Sequence, residues 1–328
     1  MTTVYVSDPI HADVLAELTT LGRVHLGYGE TAVDYTDVSH EVEAVLLRAE
    51  RFDAAKIAAS PRLRIIARHG VGSDNVDIVA ATAAGVWVTT TPGSNSRAVA
   101  EHVFALLLSL ARRTPEGATG TAAGAWAELK PHLNGFELHG RTLGLLGFGN
   151  IARMVAGIAH GFGMDVLAHD PYVDDDAVSA AGARPATADE VIAGADVLSL
   201  HLPLTTGTRH LVDAAALASM KPGAVLINTA RGGLVDEAAL AQALIDGHLA
   251  GAGLDVLEGE SVDMKNPQPH SGIDVARVPN LLVTPHVAGQ TAEAFLAAGT
   301  DALAAIRHAL AGDRPATAIN DVAAPTYS

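Results

Sequence analysis

The sequence predicts an α/β protein with two domains, each built on a doubly wound parallel sheet. Short runs of aliphatic and β-branched residues alternate with helical patterns, which is typical of parallel strands joined by crossover helices. The alternation falls into two blocks, separated at residues 114–140 by a segment without a clear period. The 328 residues suffice for two domains of ordinary size, each with its own core.

The first block contains four predicted strands, at residues 4–7, 44–47, 63–67 and 86–89. We expect a helix at residues 75–84 and a long helix at residues 95–113, where apolar positions recur with helical spacing. The following segment, residues 114–140, is rich in Gly, Ala and Pro and is interpreted as an arm or connector.

The second block runs from residue 141 to residue 285. Its predicted strands include residues 142–146, 165–168, 225–227, 251–256 and 281–283, and a final helix is expected at residues 291–310. The connection at residues 257–280 is long for a compact domain, so we interpret it as either functional or mobile, and its role stays open.

Composition excludes several classes of function. The net charge is −16, with 21 basic and 37 acidic residues, so a nucleic-acid or anionic-membrane surface is not expected. The N-terminus lacks a basic head and an apolar signal core, and the apolar block 103–108 is too short to cross a bilayer, so a cytoplasmic location is predicted. The absence of cysteine excludes thiolate metal ligands and cysteine nucleophiles, and no metal-ligand spacing is present.

A glycine-rich turn opens the second block, in "RTLGLLGFGNIARMVAGIAHGFGMDVLAHDPY". A strand leads into Gly147-x-Gly149-x-x-Ala152, a helix follows, and the next strand ends at Asp170, 21 residues beyond Gly149. A dinucleotide site requires this order, because glycine lets the backbone approach the pyrophosphate and the acid accepts the ribose hydroxyls. The alternative is a tight turn with a surface aspartate. Asp170 would repel a 2′-phosphate, which favours NAD over NADP.

Three side chains follow predicted strands of the second block, where ligands of α/β sheets bind. Arg231 follows residues 225–227 in "AVLINTARGGLVDE", and His286 follows residues 281–283 in "NLLVTPHVAGQT". Glu260, in "GLDVLEGESVD", is the candidate partner of the histidine, with Glu258 as a rival. Hydride transfer to a 2-oxo acid needs such a cation, a proton donor and a carboxylate that tunes the donor. A surface arginine and a structural histidine are the alternatives.

Six motifs follow one another along the chain: "ARHGVGSDNVD", "GLLGFGNIA", "HLPLTTGTRHLV", "NTARGGLVDEAAL", "GAGLDVLEGE" and "TPHVAGQT". Across residues 44–312 the chain resembles the D-isomer-specific 2-hydroxyacid dehydrogenases, the group that includes phosphoglycerate dehydrogenase and hydroxypyruvate reductase. The resemblance implies a Rossmann NAD-binding domain, residues 97–289, inserted into a flavodoxin-like substrate domain, residues 1–96 and 290–328. It further implies a homodimer formed through the segment 114–140.

The resemblance also implies roles for individual residues. Arg231 is expected to clamp the substrate, His286 to act as general acid and base, and Glu260 to be its partner. The backbone amides of Val71 and Gly72 are expected to hold the substrate carboxylate, in a cleft opposite Arg231. The residues expected at the cofactor are Gly147, Gly149, Asn150, Ile151, Asp170, Pro203, Thr208, Thr229, Ala230, Asp255 and Gly289.

The implied activity is NAD-dependent interconversion of a small D-2-hydroxy acid and its 2-oxo acid. A bulkier or sulfonated 2-hydroxy acid is an alternative substrate, and a non-catalytic NAD-sensing protein of the corepressor type is an alternative function. The side chain of the acid, the preferred direction and any oligomer beyond a dimer are left open. Arg48 is either a contact for a distal phosphate or carboxylate or a solvated cation, and His69 either touches substrate or makes a structural hydrogen bond.

Overall fold

The computed structural model describes residues 2–261, 267, 269 and 274–322. Part of the predicted connection at 257–280, namely residues 262–266, 268 and 270–273, lies outside the described residues. Of the helices in the described part of the chain, none has both the length and the apolar character needed to span a lipid bilayer.

Twelve strands and thirteen α-helices alternate along the described chain. The strands are β1 (Thr2–Val6), β2 (Gly22–Leu26), β3 (Ala44–Leu47), β4 (Ile65–Arg68), β5 (Trp87–Thr89), β6 (Thr142–Leu146), β7 (Asp165–His169), β8 (Arg184–Pro185), β9 (Val197–Leu200), β10 (Val225–Asn228), β11 (Gly251–Leu254) and β12 (Leu281–Val283). The helices are α1 (Ala12–Leu21), α2 (Tyr35–Val38), α3 (Ala54–Ala58), α4 (Ile78–Ala83), α5 (Ser96–Arg112), α6 (Thr114–Ala122), α7 (Trp126–Leu129), α8 (Asn150–Gly161), α9 (Asp175–Ala180), α10 (Ala188–Gly194), α11 (Ala214–Ser219), α12 (Glu237–Ile245) and α13 (Ala292–Ala311).

The chain divides into two compact units. Unit 1 comprises Met1–Asn95 and Gln290–Ser328, and unit 2 comprises Ser96–Gly289. Unit 1 has a five-stranded sheet in the order β2-β1-β3-β4-β5, with every pair parallel. This strand order is that of flavodoxin-like folds.

The sheet of unit 1 is covered on both faces. Val4 and Val6 pack into a cluster that includes Ile306 of α13, whereas Tyr5 packs into a second cluster on the opposite face. Because successive strand residues point to opposite faces, a sheet buried on both sides requires nearly continuous apolar runs. This requirement explains the aliphatic stretches that the sequence places at β3 and β4.

Unit 2 has a seven-stranded parallel sheet in the order β12-β11-β10-β9-β6-β7-β8. Leu143 and Leu145 of β6 face one core cluster and Leu146 faces another, so this sheet is also buried on both sides. The order reverses between β6 and β9, which is where dinucleotides bind in Rossmann folds. The predicted α/β class with two parallel sheets is confirmed.

The structure contains elements that the sequence does not predict. Strand β2 lies at the edge of its sheet and has no fully buried residue. The segment 114–140, expected to be irregular, contains α6 and α7, neither of which buries a residue. A helix without a buried face needs no periodic apolar pattern, so the sequence there lacks the usual signal.

Candidate active site

Three candidate residues lie at one edge of the unit 2 sheet. Strands β10, β11 and β12 are neighbours, and because they are parallel they all end at the same edge. Arg231 follows the end of β10, Glu260 follows β11, and His286 follows β12. The topology therefore brings together residues that are far apart in the sequence.

His286 and Glu260 form a direct pair. Nδ1 of the imidazole lies 2.7 Å from Oε2 of Glu260, and Oε1 of the same carboxylate accepts the backbone N–H of Leu257 at 2.9 Å. Because a carboxylate can only accept, the proton shared by the two groups is carried by Nδ1. The histidine side chain is 43% exposed and that of the glutamate 14%, so the ring is accessible while its partner is largely enclosed.

The backbone at His286 adopts a left-handed conformation, with φ of +53°. For a residue with a Cβ this conformation costs about 1 to 2 kcal/mol. The His286 N–H donates to the carbonyl oxygens of Asp255, at 2.9 Å, and of Thr284, at 3.0 Å. The surrounding hydrogen bonds therefore hold a conformation that the residue would not adopt alone.

Asp255 organises the loop that carries the histidine. Its fully buried carboxylate accepts the Thr284 hydroxyl and the backbone N–H groups of Val287, at 3.0 Å, and Ala288, at 2.7 Å. Burial alone would raise the pKa of this carboxyl, but the bonds from His102, Thr284 and the two amides outweigh it and hold the pKa below its ordinary value. Asp255 is thus an ionised anchor, a role that its position in the sequence does not reveal.

The turn at Arg231 is fixed by Asn228, which is buried at the end of β10. Its side-chain oxygen accepts the Ala230 N–H at 3.0 Å, and its amide nitrogen donates to the Arg231 carbonyl at 2.9 Å. The guanidinium itself donates from Nη1 to the Ala230 carbonyl at 2.7 Å. An asparagine that bonds its own backbone two residues on is a recognisable turn signal, so this positioning role is readable from the sequence.

The 3₁₀ turn Gly232–Leu234 packs tightly on the turn Glu258–Ser261. A Cβ built on Gly232 would lie 2.0 Å from the Leu257 carbonyl carbon and 2.2 Å from the Glu258 nitrogen. Only glycine permits this approach. The arginine turn and the glutamate turn are consequently in backbone contact.

Glu258, the rival carboxylate, is engaged elsewhere. It is buried, pairs with Arg209, and lies 3.1 Å from Nε2 of His210, while its N–H donates to Glu237 at 2.6 Å. The structure therefore places Glu260, and not Glu258, on His286.

The glycine turn lies at the carboxyl end of β6. Gly147 has φ of +90°, and a Cβ there would lie 2.5 Å from the carbonyl oxygen of His201. A Cβ on Gly149 would meet nothing within 4 Å, so the space beside that backbone is open. Helix α8 begins at Asn150 without a side-chain cap, so the first-turn amides, including that of Ile151, are available to an anion.

Asp170 lies directly beside this turn. Its Oδ2 accepts the Phe148 N–H at 2.8 Å, and its Oδ1 accepts the Tyr172 N–H at 2.9 Å. The carboxylate thus holds the loop between the two glycines while remaining partly exposed. A ribose hydroxyl placed at this turn would meet an acceptor already fixed in position.

The remaining predicted cofactor residues are distributed over the carboxyl edge of the same sheet. The Thr208 hydroxyl donates to the Pro203 carbonyl at 2.7 Å in the loop after β9, and Gly289 follows the His286 loop. Thr229, beside Ala230, has a buried hydroxyl oxygen with no hydrogen-bond partner among the described residues. A buried orphan polar atom requires an explanation, and a ligand at this edge provides one. The site residues therefore fit a dinucleotide.

In unit 1, the Val71–Gly72 pair lies at the carboxyl end of β4. The preceding residue, Gly70, is tied to Thr91: its N–H donates to the threonine hydroxyl at 3.0 Å, and its carbonyl accepts the Thr91 N–H at 2.9 Å. Within the described residues, the amides of Val71 and Gly72 donate to no protein acceptor. They form an anchored turn with two available donors.

Arg48 and His69 lie at neighbouring strand ends of unit 1 and share a contact with Phe295. The Arg48 guanidinium is 4.5 Å from the centre of the phenyl ring, and Nε2 of His69 bonds the Phe295 carbonyl at 3.1 Å. Burial lowers the pKa of His69 to about 4, which keeps the ring neutral at physiological pH. Of the two interpretations of His69, the structural hydrogen bond is the one observed.

Comparison with known proteins identifies the relatives of this chain. Residues 104–288 match the family model described as "D-isomer specific 2-hydroxyacid dehydrogenase, NAD binding domain". The chain is 43% identical over 281 residues to the D-3-phosphoglycerate dehydrogenase of Mycobacterium bovis, covering 85% of this chain and 51% of that protein. The chain therefore spans about half the length of the mycobacterial phosphoglycerate dehydrogenases that it matches.

Two further comparisons cover most of both partners. The chain is 44% identical over 254 residues to the (S)-sulfolactate dehydrogenase of Chromohalobacter salexigens, covering 77% of this chain and 79% of that protein. The crystal structure of the TT0316 protein from Thermus thermophilus superposes with a TM-score of 0.85 at 35% identity, covering 97% of this chain and 100% of that chain.

Proposed function

Since the chain belongs to the D-isomer specific 2-hydroxyacid dehydrogenase family, we propose that it interconverts a small D-2-hydroxy acid and its 2-oxo acid with NAD(H). The observation that carries the proposal is the 2.7 Å bond between His286 and Glu260, at the sheet edge where the Arg231 turn also lies. A poised proton donor beside a fixed cation is what reduction of a 2-oxo acid requires.

His286 moves the proton. In the reducing direction its imidazolium donates from Nε2 to the carbonyl oxygen of the substrate, and in the oxidising direction the neutral Nε2 accepts the hydroxyl proton. Glu260 holds Nδ1 throughout, which fixes the ring orientation and stabilises the imidazolium. The nicotinamide supplies or accepts the hydride at the carbon that bears this oxygen.

Arg231 is the proposed clamp. A guanidinium binds a carboxylate through paired, charge-assisted hydrogen bonds, and here the Asn228 turn fixes the backbone from which it extends. The amides of Val71 and Gly72 are proposed as further donors to the substrate carboxylate. With the carboxylate held, hydride transfer is confined to one face of the carbonyl carbon.

We assign the dinucleotide to unit 2. Gly147, Gly149, Asn150 and Ile151 would hold the pyrophosphate, and Asp170 the adenosine ribose. The other proposed contacts are Pro203, Thr208, Thr229, Ala230, Asp255 and Gly289. NAD is preferred over NADP in this proposal, because the fixed Asp170 carboxylate would repel a ribose 2′-phosphate.

Arg48 favours a substrate with a second anionic group. Its guanidinium is half-buried, with one face against Phe295, and burial lowers its pKa while the Asp8 carboxylate acts in the opposite direction. A partly desolvated cation is stabilised by an anionic ligand. Phosphate and sulfonate both qualify, in keeping with the relatives named D-3-phosphoglycerate dehydrogenase and (S)-sulfolactate dehydrogenase.

A homodimer in the cytoplasm is the proposed assembly and location. Helices α6 and α7 bury no residue of their own, and the Trp126 side chain is 68% exposed, so this segment offers apolar surface to a second copy. Separately, we propose unit 1 as the substrate domain and unit 2 as the NAD-binding domain. Light scattering measures the mass, and a monomer at micromolar concentration would contradict the dimer.

The activity is tested by following the absorbance of NADH with a panel of 2-oxo acids. We expect turnover with phosphohydroxypyruvate or sulfopyruvate to exceed that with hydroxypyruvate and glyoxylate, which lack the second anion. NADH binding without turnover of any acid would favour the alternative of a cofactor-sensing protein. If an Arg48→Leu variant turned over each of the four acids at the wild-type rate, Arg48 would be excluded from substrate selection.

A further inference from the structure

Helix α5 runs along strand β11 in a fixed register. A Cβ built on Gly251 would lie 3.2 Å from Leu110, and one built on Gly253 would lie 3.0 Å from Leu106. Moving four residues back along the helix covers about 6 Å, and moving two residues forward along the strand covers about 6.6 Å. Contacts between the two elements therefore recur at these intervals. The next pair in this register is His102 and Asp255, whose side chains lie 3.5 Å apart.

The hydrogen bonds around Thr284 determine what His102 contributes. The Thr284 hydroxyl has one proton, which it donates to Oδ1 of Asp255. Nε2 of His102 lies 3.0 Å from the same hydroxyl oxygen. Since that oxygen can only accept from the ring, His102 is the donor, and its Nε2 carries a proton in either charge state.

We propose that His102 is a positioning residue for His286. It donates to Thr284, which donates to Asp255, and the Asp255 carboxylate binds the amides of Val287 and Ala288 on the far side of His286. The chain of bonds holds the left-handed backbone from which the imidazole reaches Glu260. Only the expected effect on turnover rests on the proposed function; the effect on the His286 loop does not.

Loss of the His102 donor leaves the Thr284 hydroxyl and the buried carboxylate with one partner fewer. Because hydrogen bonds in a buried network polarise one another, the remaining bonds of Asp255 weaken as well. The strained conformation at His286 is then less favoured, and the imidazole spends less time on Glu260. His102 itself is not among the residues that we propose to contact cofactor or substrate.

The first test compares two substitutions at this position. His102→Leu removes the donor, and we expect kcat to fall about tenfold, the usual consequence of losing one hydrogen bond in a charged network. The KM for the 2-oxo acid and the affinity for NADH, measured by fluorescence, should change less than about twofold. His102→Gln retains an N–H donor and should restore kcat to within about threefold of the wild type.

The second test needs no turnover. Amide hydrogen exchange of the peptide covering residues 284–289 should accelerate at least about tenfold in His102→Leu and remain near the wild-type rate in His102→Gln. His248→Leu is the matched control, since His248 makes one ring hydrogen bond of 3.1 Å to the Leu217 carbonyl in the same unit. That variant should change neither exchange at residues 284–289 nor kcat.

Specific results overturn the inference. Unchanged exchange at residues 284–289 in His102→Leu would show that the ring does not hold the loop. Equal losses of kcat in the Leu and Gln variants would show that the donor is not what matters. If the wild type turned over no 2-oxo acid but the exchange pattern held, the proposed function would fail while the positioning of His286 stood.

Discussion

Replacing Gly232 with alanine should disable the site without touching a polar group. The added Cβ would lie 2.0 Å from the Leu257 carbonyl carbon, whereas real Cβ contacts essentially never fall below 3.0 Å, so the two backbones must separate by at least 1.0 Å. The displaced segment includes Leu257, whose N–H binds Oε1 of Glu260, and that carboxylate binds His286. The perturbation therefore reaches His286, the proposed proton donor.

The magnitude follows from the required shift. A misplacement of 1 Å at a reacting group costs on the order of a hundredfold in rate, which we expect as the loss of kcat. Overpacking costs about 1 to 3 kcal/mol of unfolding free energy. Alanine also lowers the conformational entropy of the unfolded chain, which stabilises the folded state by about 0.4 to 1 kcal/mol. A moderate net loss of stability is therefore predicted.

Gly233→Ala is the matched control at the adjacent position. Its Cβ would lie 3.0 Å from the end of the Leu204 side chain and 3.5 Å from that of Arg209, and Leu204 is 38% exposed and free to move. Neither glycine has a positive φ, so alanine adds no left-handed backbone strain at either position, and the two variants differ in the contact that the Cβ makes. Urea denaturation and NADH oxidation measure the two variants. Equal stability and equal kcat for both would refute the claim that the contact of Gly232 with residues 257–258 holds Glu260 in place.

Three further outcomes are expected. His286→Gln should abolish turnover while NADH affinity, measured by fluorescence titration, is retained; full turnover would remove His286 from the mechanism. Asp170→Ser should bring the steady-state rates with NADPH and NADH closer together, and an unchanged preference would exclude Asp170 as the discriminator. His69, with its folded-state pKa lowered from 6.5 to about 4, binds fewer protons when folded, so it contributes stability that is lost as pH falls below 6.5. The loss between pH 7 and 5 is about 2 kcal/mol, and His69→Gln should flatten the urea midpoints over this range; an unchanged slope would assign the acid sensitivity to other groups.

The sheets could be predicted because strands buried on both faces are continuous aliphatic runs. The bounds of Ala44–Leu47, Thr142–Leu146 and Leu281–Val283 agree with the sequence prediction. Strand β2 could not be predicted in this way, since Gly22–Leu26 pairs on one side only and its residues are half-buried or exposed. Hydrophobic periodicity arises from burial of one face, so an element that buries few residues cannot be predicted from it.

The candidate site was predictable in its residue types and positions but not in its supports. Strand ends place Arg231, Glu260 and His286 at one edge, which follows from parallel topology alone. The choice of Glu260 over Glu258 depends on how a single 3₁₀ turn is oriented, which spacing does not determine. His102 gives no signal in the sequence, because its role depends on the register of α5 against β11.

In the proposed mechanism, proton transfer and recognition of the distal end of the acid belong to different units. The proposed proton donor, its carboxylate and the loop that holds them all belong to Ser96–Gly289, whereas Arg48, the proposed contact for a second anionic group, belongs to Met1–Asn95. New substrates can therefore be sought by exchanging residues of the first segment, with the proton-transfer apparatus left intact. We expect substitutions at Arg48 to leave the proton-transfer residues in place, so that any change in substrate preference reports on how the distal end of the acid is recognised.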